Sequence, residues 1–282
     1  MDNLVNSESI VERTLTQNDI DTYHRDGAVC LRGIFSSWVN RMQEATQRVM
    51  DKPKSVVQTY SKPGEAKFFF TMNMWSYDAD FRAFLFESPA AELAGHLMKS
   101  QNTYFFKDQL FVKEPGSSMP TPWHHDLPYW SVDGFQVCSI WLALDHVDAS
   151  NGMVEYVRGS HLLPALYQPE DFSGEGGQRN PALGKVPDIN SRRQDYDIVS
   201  FEMHPGDCTV FHARTLHGAP GNVSTRRRRG LSTRWLGDDV RYTPSRPGSS
   251  KPMRDPGLKD GESVSNGSDV FPRAWQSKEA MD

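Results

Sequence analysis

From Thr103 to Leu236 the chain breaks into short runs rich in β-branched and aromatic residues, and the turn chemistry between those runs leaves few folds open to it. Thr103 to Lys113, Gln136 to Val147, Met153 to Val157, Ile198 to Met203, Asp207 to His212 and Arg229 to Leu236 each read as a strand. Pro205-Gly206 suits the centre of a type II turn, with proline presetting φ and glycine accepting the positive φ that follows. Asn151-Gly152 suits a tight hairpin connection. Within Gln136 to Asp145, Val137, Ser139, Trp141 and Ala143 share one face, and Cys138, Ile140, Leu142 and Leu144 share the other. Such a series of short strands predicts a β-sandwich or jelly roll.

Helical patterns come first in the chain. Thr16-Gln17-Asn18-Asp19 caps a segment that Gly27 breaks, and Ala28 to Leu31 follows as a short apolar strand. A second helix is expected over Ser36 to Met50, where Trp38, Met42, Ala45 and Val49 recur at helical spacing, and a third over Ser88 to Lys99. Residues 53–76 mix Pro53, Pro63 and Gly64 with Phe68-Phe69-Phe70 and Trp75, a segment able to close over a pocket. After Gly237 the composition turns to Gly, Ser, Pro, Lys and Asp. The expected organisation is a flexible N-terminus (1–14), a single domain with N-terminal helices (15–237), and a polar, partly disordered C-terminal extension (238–282) anchored by Phe271 and Trp275. The fold class is mainly β with flanking α-helices.

A chain of 282 residues with 37% hydrophobic residues and seven tryptophans can bury a sizeable core. Its net charge of -5 argues against a nucleic-acid partner. No apolar run of about 18 residues is present, so no membrane span is expected. Cys30, Cys138 and Cys208 are too few and too scattered for a disulfide framework or a zinc ribbon. A cytoplasmic protein is the expectation.

The chemistry concentrates in His124-His125-Asp126. Two neutral imidazoles and a carboxylate on one face of an octahedral ion suit a non-haem Fe(II) and leave the opposite face open. In a strand, His124 and Asp126 would point to one side and His125 to the other. The third ligand must then come from a distant strand or loop. His217 is preferred to His212, because His212 alternates with the apolar Cys208 and Val210, whereas His217-Gly218 stands just before a turn. Arg226-Arg227-Arg228-Arg229 reads as one inward arginine among outward neighbours, or as a solvated basic edge. Trp141 is either core or pocket wall, and His161 is a further residue for the surroundings of the ligands. Tyr129, Trp130, Phe70, Met72 and Trp75 suggest an aromatic, partly apolar substrate pocket.

In order along the chain, Lys113-Glu114-Pro115-Gly116, Thr121 through Trp130, Asn151-Gly152, Arg158-Gly159-Ser160-His161 and Pro205-Gly206-Asp207 through His217-Gly218 resemble the phytanoyl-CoA dioxygenase family over roughly residues 15–237. The resemblance implies a double-stranded β-helix (jelly roll, cupin-like) and an Fe(II)- and 2-oxoglutarate-dependent oxygenase using O2. It implies that His124, Asp126 and His217 ligate the iron and that Arg228 pairs with the distal carboxylate of 2-oxoglutarate, a task suited to a planar guanidinium. It also puts Gln109 and Trp141 near the co-substrate. Arg228, Gly230, Ser232 and Arg234 alternate along one strand face, making Arg234 a contact for a substrate anion or a structural ion-pair partner.

Two positions depart from the family pattern. His125 stands where glutamine is frequent, which marks it as a co-substrate position, and Ala219 stands where a hydroxyl is frequent. Retention of Asp126 disfavours halogenation, since halogenating relatives replace that carboxylate. The implied reaction is hydroxylation of a small metabolite with release of succinate and CO2. Desaturation, epoxidation or ring formation would use the same oxidant. A catalytically silent metal-binding jelly roll and a zinc hydrolase that activates water are the readings from other classes.

Overall fold

The computed structural model describes residues 9–61, 64–169, 180, 182–267 and 269–278. Residues 1–8 of the expected flexible N-terminus, Pro63, and residues 268 and 279–282 of the expected extension lie outside the described residues. The helices are α1 (Ile10–Thr14), α2 (Gln17–Asp26), α3 (Val39–Asp51), α4 (Ala79–Glu87) and α5 (Ala90–Met98). The first strands are β1 (Ala28–Leu31), β2 (Val57–Thr59), β3 (Phe68–Met72), β4 (Asn102–Lys113), β5 (Thr121–His124), β6 (Val132–Asp133) and β7 (Val137–Ala143). They are followed by β8 (Glu155–Val157), β9 (Ile198–Ser200), β10 (Cys208–His212), β11 (His217–Ala219), β12 (Arg228–Leu236), β13 (Arg241–Tyr242) and β14 (Arg273–Gln276).

Thr16 caps α2 as its sequence implies: its side chain accepts from the Asp19 amide, Asp19 reaches back to the Thr16 amide, and Gly27 closes the helix at φ 79°. α4 was not visible in the sequence pattern. Its apolar residues run round the helix, with Phe81, Phe84 and Leu85 buried and Phe86 36% exposed, so no polar stripe marks the solvent side.

The large sheet runs β1-β10-β7-β12-β4-β3-β2, with β14 added beside β4, and the small sheet runs β5-β11-β8-β9. Every pairing between these strands is antiparallel. This is the expected jelly-roll arrangement. The alternation of β7 sets the layers. Cys138, Ile140 and Leu142 face a core shared with α3, α4 and α5 through Met42, Phe84, Leu93 and Leu97. Trp141 and Ala143 face the small sheet, packing with Tyr156 and Ala219. The helices thus cover the outer face of the large sheet, and its inner face is left for the site.

Two expectations change here. Asn151-Gly152 does not close a hairpin: Gly152 takes φ 89° in a crossing from β7 in the large sheet to β8 in the small one. The C-terminal segment is packed rather than loose, because β13 pairs with β6, β14 pairs with β4, and Phe271 is wholly buried against Phe106 and Tyr242. A few apolar residues spaced through a polar stretch suffice to dock it. Trp275 lies over Gly95 of α5, where a Cβ would come within 2.4 Å of its ring.

Candidate metal centre

His124 and His217 are directly paired residues of β5 and β11. Their rings lie 4.2 Å apart between centroids. Asp126 does not sit in the strand as expected. β5 ends at His124, and Asp126 takes helical φ/ψ at the head of the short 3-10 turn Leu127–Tyr129. A turn, not strand alternation, returns its carboxylate to His124, with Oδ1 3.8 Å from His124 Nε2. One donor atom from each of His124, Asp126 and His217 lies within 4.8 Å of the others, and all three residues are buried.

The hydrogen bonds around this cluster fix which atoms face inward. His124 Nδ1 meets the Pro122 carbonyl at 2.8 Å and His217 Nδ1 meets the Thr215 carbonyl at 2.9 Å. A carbonyl only accepts, so both rings carry their proton on Nδ1 and present the Nε2 lone pair. Ser139 donates to Asp126 Oδ2 at 2.7 Å, and Arg234 Nη2 stands 3.7 Å from the same oxygen, leaving Oδ1 toward the imidazoles. Burial, then the neighbouring His217, pushes His124 down to about 3. Burial alone would raise Asp126, but Arg234 and the two histidines hold it down to about 2. Three electron-pair donors with little tendency to take a proton therefore converge. That set fits a divalent transition-metal ion such as Fe(II).

A cavity between the sheets adjoins the cluster, lined by Thr121, Trp141, Ala219, Arg228, Ser232 and Arg234 among others. Of the four successive arginines one faces inward and three outward, since the strand begins only at Arg228. Arg226 pairs with Asp148, Arg227 with Glu114 and Arg229 with Asp145, all from the partly exposed side. Arg228 is 2% exposed and has no carboxylate partner among the described residues; its Nε reaches only the Asn151 carbonyl, at 3.4 Å. Burial pushes its pKa down to about 10. Its guanidinium lies 5.4 Å from the centroid of Trp141, whose ring packs against Gly230 so closely that a Cβ there would stand 2.0 Å from it. Trp141 is thus a wall of the cavity. Ala219 leaves no hydroxyl of its own, but Thr121 is its cross-strand partner and lines the same space.

A wider cleft of about 740 Å³ opens from His124 and Asp126 and includes Phe70, Met72, Gln109, Tyr129, Trp130 and Arg234. Two sequence expectations fall outside both cavities. His125 points away from the ligands: its Nδ1 bonds the Arg214 carbonyl at 2.6 Å and its ring stacks on Tyr167, because the chain reverses sides between adjacent residues. Trp75 leaves the cleft because Asn73 takes a left-handed conformation (φ 60°) after β3 and turns the chain toward the helices, where Trp75 meets Phe105 and Phe86. His161 and His212 form a separate cluster with ring centroids 5.3 Å apart, and His212 Nε2 donates to the Phe135 carbonyl at 2.7 Å. Lys107 and Thr121 also line these cavities without having been singled out in the sequence, and Ser139 and Ser232, placed there only by strand face, gain a role at the site. Lys107 and Ser139 were signalled only by alternation, standing two residues from Gln109 and Trp141 on the same strand faces.

The family model for phytanoyl-CoA dioxygenase (PhyH) matches residues 23–230. A probable phytanoyl-CoA dioxygenase of Caenorhabditis elegans is 32% identical over 127 residues, covering 42% of this chain and 37% of that protein. The chain spans about two fifths of the length of the curated relatives it first matches. Among solved structures, the non-heme alpha ketoglutarate dependent carbocyclase SnoK superposes with TM-score 0.73 at 20% identity, over 93% of this chain and 98% of that one. The epimerase SnoN, in complex with Fe3+, alpha ketoglutarate and nogalamycin RO, superposes with TM-score 0.73 at 22% identity, over 92% and 98%. At these identities the two structures speak to the fold, which they share.

Proposed function

The chain belongs to the phytanoyl-CoA dioxygenase family, and from that membership we propose that it is an Fe(II)- and 2-oxoglutarate-dependent oxygenase that hydroxylates a small organic molecule, with release of succinate and CO2. The observation that carries this reading is one juxtaposition. Three donors for a metal converge beside a cavity, lined by His124 and His217 of that set, which also holds a buried arginine with no carboxylate partner among the described residues. A structural metal site needs the donors but has no use for the arginine. A zinc hydrolase needs a bound water, not a second anion held at depth.

His124, Asp126 and His217 would hold the iron and Arg228 the far carboxylate of 2-oxoglutarate. When bound, iron and 2-oxoglutarate together supply the oxidising chemistry, in which O2 is reduced as 2-oxoglutarate is converted to succinate and CO2. The protein's own residues fix the geometry. Carbonyls of Pro122 and Thr215 lock the imidazole tautomers, and Ser139 and Arg234 hold Asp126 so that one oxygen stays directed at the cluster. Trp141 presses on the Arg228 guanidinium and keeps water from it, which strengthens its attraction for an anion. Thr121 and Ser232 offer hydroxyls along the same cavity, and the Ser232 hydroxyl has no partner among the described residues. Gln109 faces the wider cleft, where the substrate would lie. Its three cysteines are unpaired, which suits the cytoplasm as the place of reaction.

Anaerobic addition of Fe(II) and 2-oxoglutarate should give a visible charge-transfer band that Asp126→Ala abolishes without unfolding the protein. A well-folded wild-type protein that gives no band would refute the reading. With labelled dioxygen and a metabolite that stimulates succinate release, the product should gain one labelled oxygen atom. Loss of two hydrogens instead would replace hydroxylation by desaturation or ring formation.

A further inference from the structure

The wide cleft has a charge pattern that the metal and co-substrate do not use. On its floor, Lys107 of β4 is the cross-strand partner of Arg234 of β12, and Arg234 is in turn opposite Ser139 of β7. All three side chains therefore rise from the same face of the large sheet. Arg234 is 3% exposed, and its Nε and Nη1 have no hydrogen-bond partner among the described residues. Only Nη2 has a carboxylate nearby, Asp126 at 3.7 Å. The Lys107 ammonium lies 5.0 and 4.9 Å from the ring centroids of Phe106 and Trp130, and has no hydrogen bond or ion pair among the described residues. Among the residues lining the cleft the one carboxylate is Asp126, already directed at the imidazoles and held by Ser139.

Two adjacent cations taken out of water repel each other, and their unmet donors carry a desolvation cost that only an acceptor can offset. Beyond Asp126, which faces Nη2 of Arg234, the described residues supply no acceptor to either group. An oxyanion placed between them satisfies both, since a guanidinium edge and an ammonium together match the two oxygens of a carboxylate. Above this floor Phe70, Tyr129 and Trp130 offer apolar ring surface continuous with the cation pair. The volume of the cleft, about 740 Å³, is that of a site for a ligand well beyond the size of a small ion.

We propose that the substrate is an organic carboxylate with an unsaturated or ring-containing body, its carboxylate held between Lys107 and Arg234 and its body laid against Phe70, Tyr129 and Trp130. The word substrate rests on the oxygenase reading; the anion site does not. Anchoring at Arg234, whose Nη2 stands 3.7 Å from Asp126, sets the body at a fixed distance from the ligand cluster. The anion thereby selects which carbon is presented for oxidation.

The test uses 4-phenylbutanoate and its neutral amide as probes, titrated calorimetrically into the full chain carrying Fe(II) and saturating 2-oxoglutarate without O2, and in parallel into the metal-free protein. The acid should bind about 10- to 100-fold more tightly than the amide, the range expected for charge-assisted hydrogen bonds. Lys107→Met should erase that preference and Lys107→Arg should restore most of it, with 2-oxoglutarate affinity unchanged in both. Equal binding of acid and amide, or a preference that survives Lys107→Met, would overturn the proposal. So would displacement of 2-oxoglutarate by the acid, which would assign the cation pair to the co-substrate. If no charge-transfer band forms at all, the oxygenase reading fails, while the metal-free titration still decides the anion site.

Discussion

At the scale of single residues, what separates Arg228 from its neighbours is where each finds its counter-charge. Arg226, Arg227 and Arg229 are answered by Asp148, Glu114 and Asp145, whereas Arg228 is buried with none among the described residues. Arg228→Met keeps the stem and removes the charge, so 2-oxoglutarate affinity should fall about 10- to 100-fold, the worth of a charge-assisted hydrogen bond. Arg227→Met should leave it unchanged. Titration of the charge-transfer band measures both. Ser139 acts one layer further out, because its hydroxyl occupies the Asp126 oxygen that would otherwise compete for the metal. Ser139→Ala should weaken Fe(II) binding by about 10- to 100-fold, the usual effect of losing an outer partner of a ligand, and a competitive chelator titration reads it. The three donors that the structure brings together were singled out by residue type and spacing, and their reading as iron ligands came from the family resemblance. Ser139 and Lys107 were not, since their roles come from which strands lie side by side, and that register is absent from any local pattern.

At the scale of elements, the site is a product of register among three adjacent strands. β12 is flanked by β4 and β7, so Arg234 meets Lys107 and Ser139, Ser232 meets Gln109 and Trp141, and Gly230 meets Phe111 and Ala143. The period-two reading of β7 and β12 found these faces correctly, because alternation is a property of each strand by itself. Alternation does not account for Asp126, where a 3-10 turn replaces the expected strand, and the aromatic cluster that suggested Trp75 for the pocket is parted from it where Asn73 turns the chain at positive φ. Both misses lie where local backbone conformation departs from the strand pattern. Gly230 is where the register depends most on a missing side chain. Gly230→Ala puts a methyl group 2.0 Å from the Trp141 ring and must displace it. Overpacking of this kind costs about 1–3 kcal/mol. The Tm should fall by several degrees, and because the displaced ring covers Arg228, 2-oxoglutarate affinity should fall with it. A lowered Tm with unchanged affinity would separate the ring from the co-substrate site.

At the scale of the whole molecule, the docked C-terminal segment joins the site to the rest of the fold. Arg246 donates to the carbonyls of Leu127 and Trp130 and pairs with Asp133, and the Ser250 amide donates to Tyr129, so the turn that carries Asp126 is strapped from outside. Composition pointed to a partly disordered tail because such a strap works through a few polar contacts and two buried rings, Tyr242 and Phe271, which weigh little in a residue count. A second whole-molecule property is the number of histidines buried in neutral form. Burial, then His161, pushes His212 down to about 3, and burial lowers His161 as well. In the metal-free protein His124 and His217 are depressed in the same sense. An unfolded histidine takes up its proton near pH 6.5. Each depressed histidine therefore contributes stability that is fully present above about pH 6.5 and is lost as pH falls toward the folded value, at up to about 1.4 kcal/mol per pH unit. Asp108 acts in the opposite direction. Burial raises it to about 7, so its charged form disfavours folding as pH rises from about 4 to 7. The histidines outnumber it, and the metal-free protein should lose Tm steadily between about pH 7 and pH 5. His212→Gln keeps a donor for the Phe135 carbonyl but cannot be protonated, so it should flatten that decline while leaving Tm at neutral pH nearly unchanged. An equally steep decline in the variant would show that the His212 cluster does not govern the acid limit.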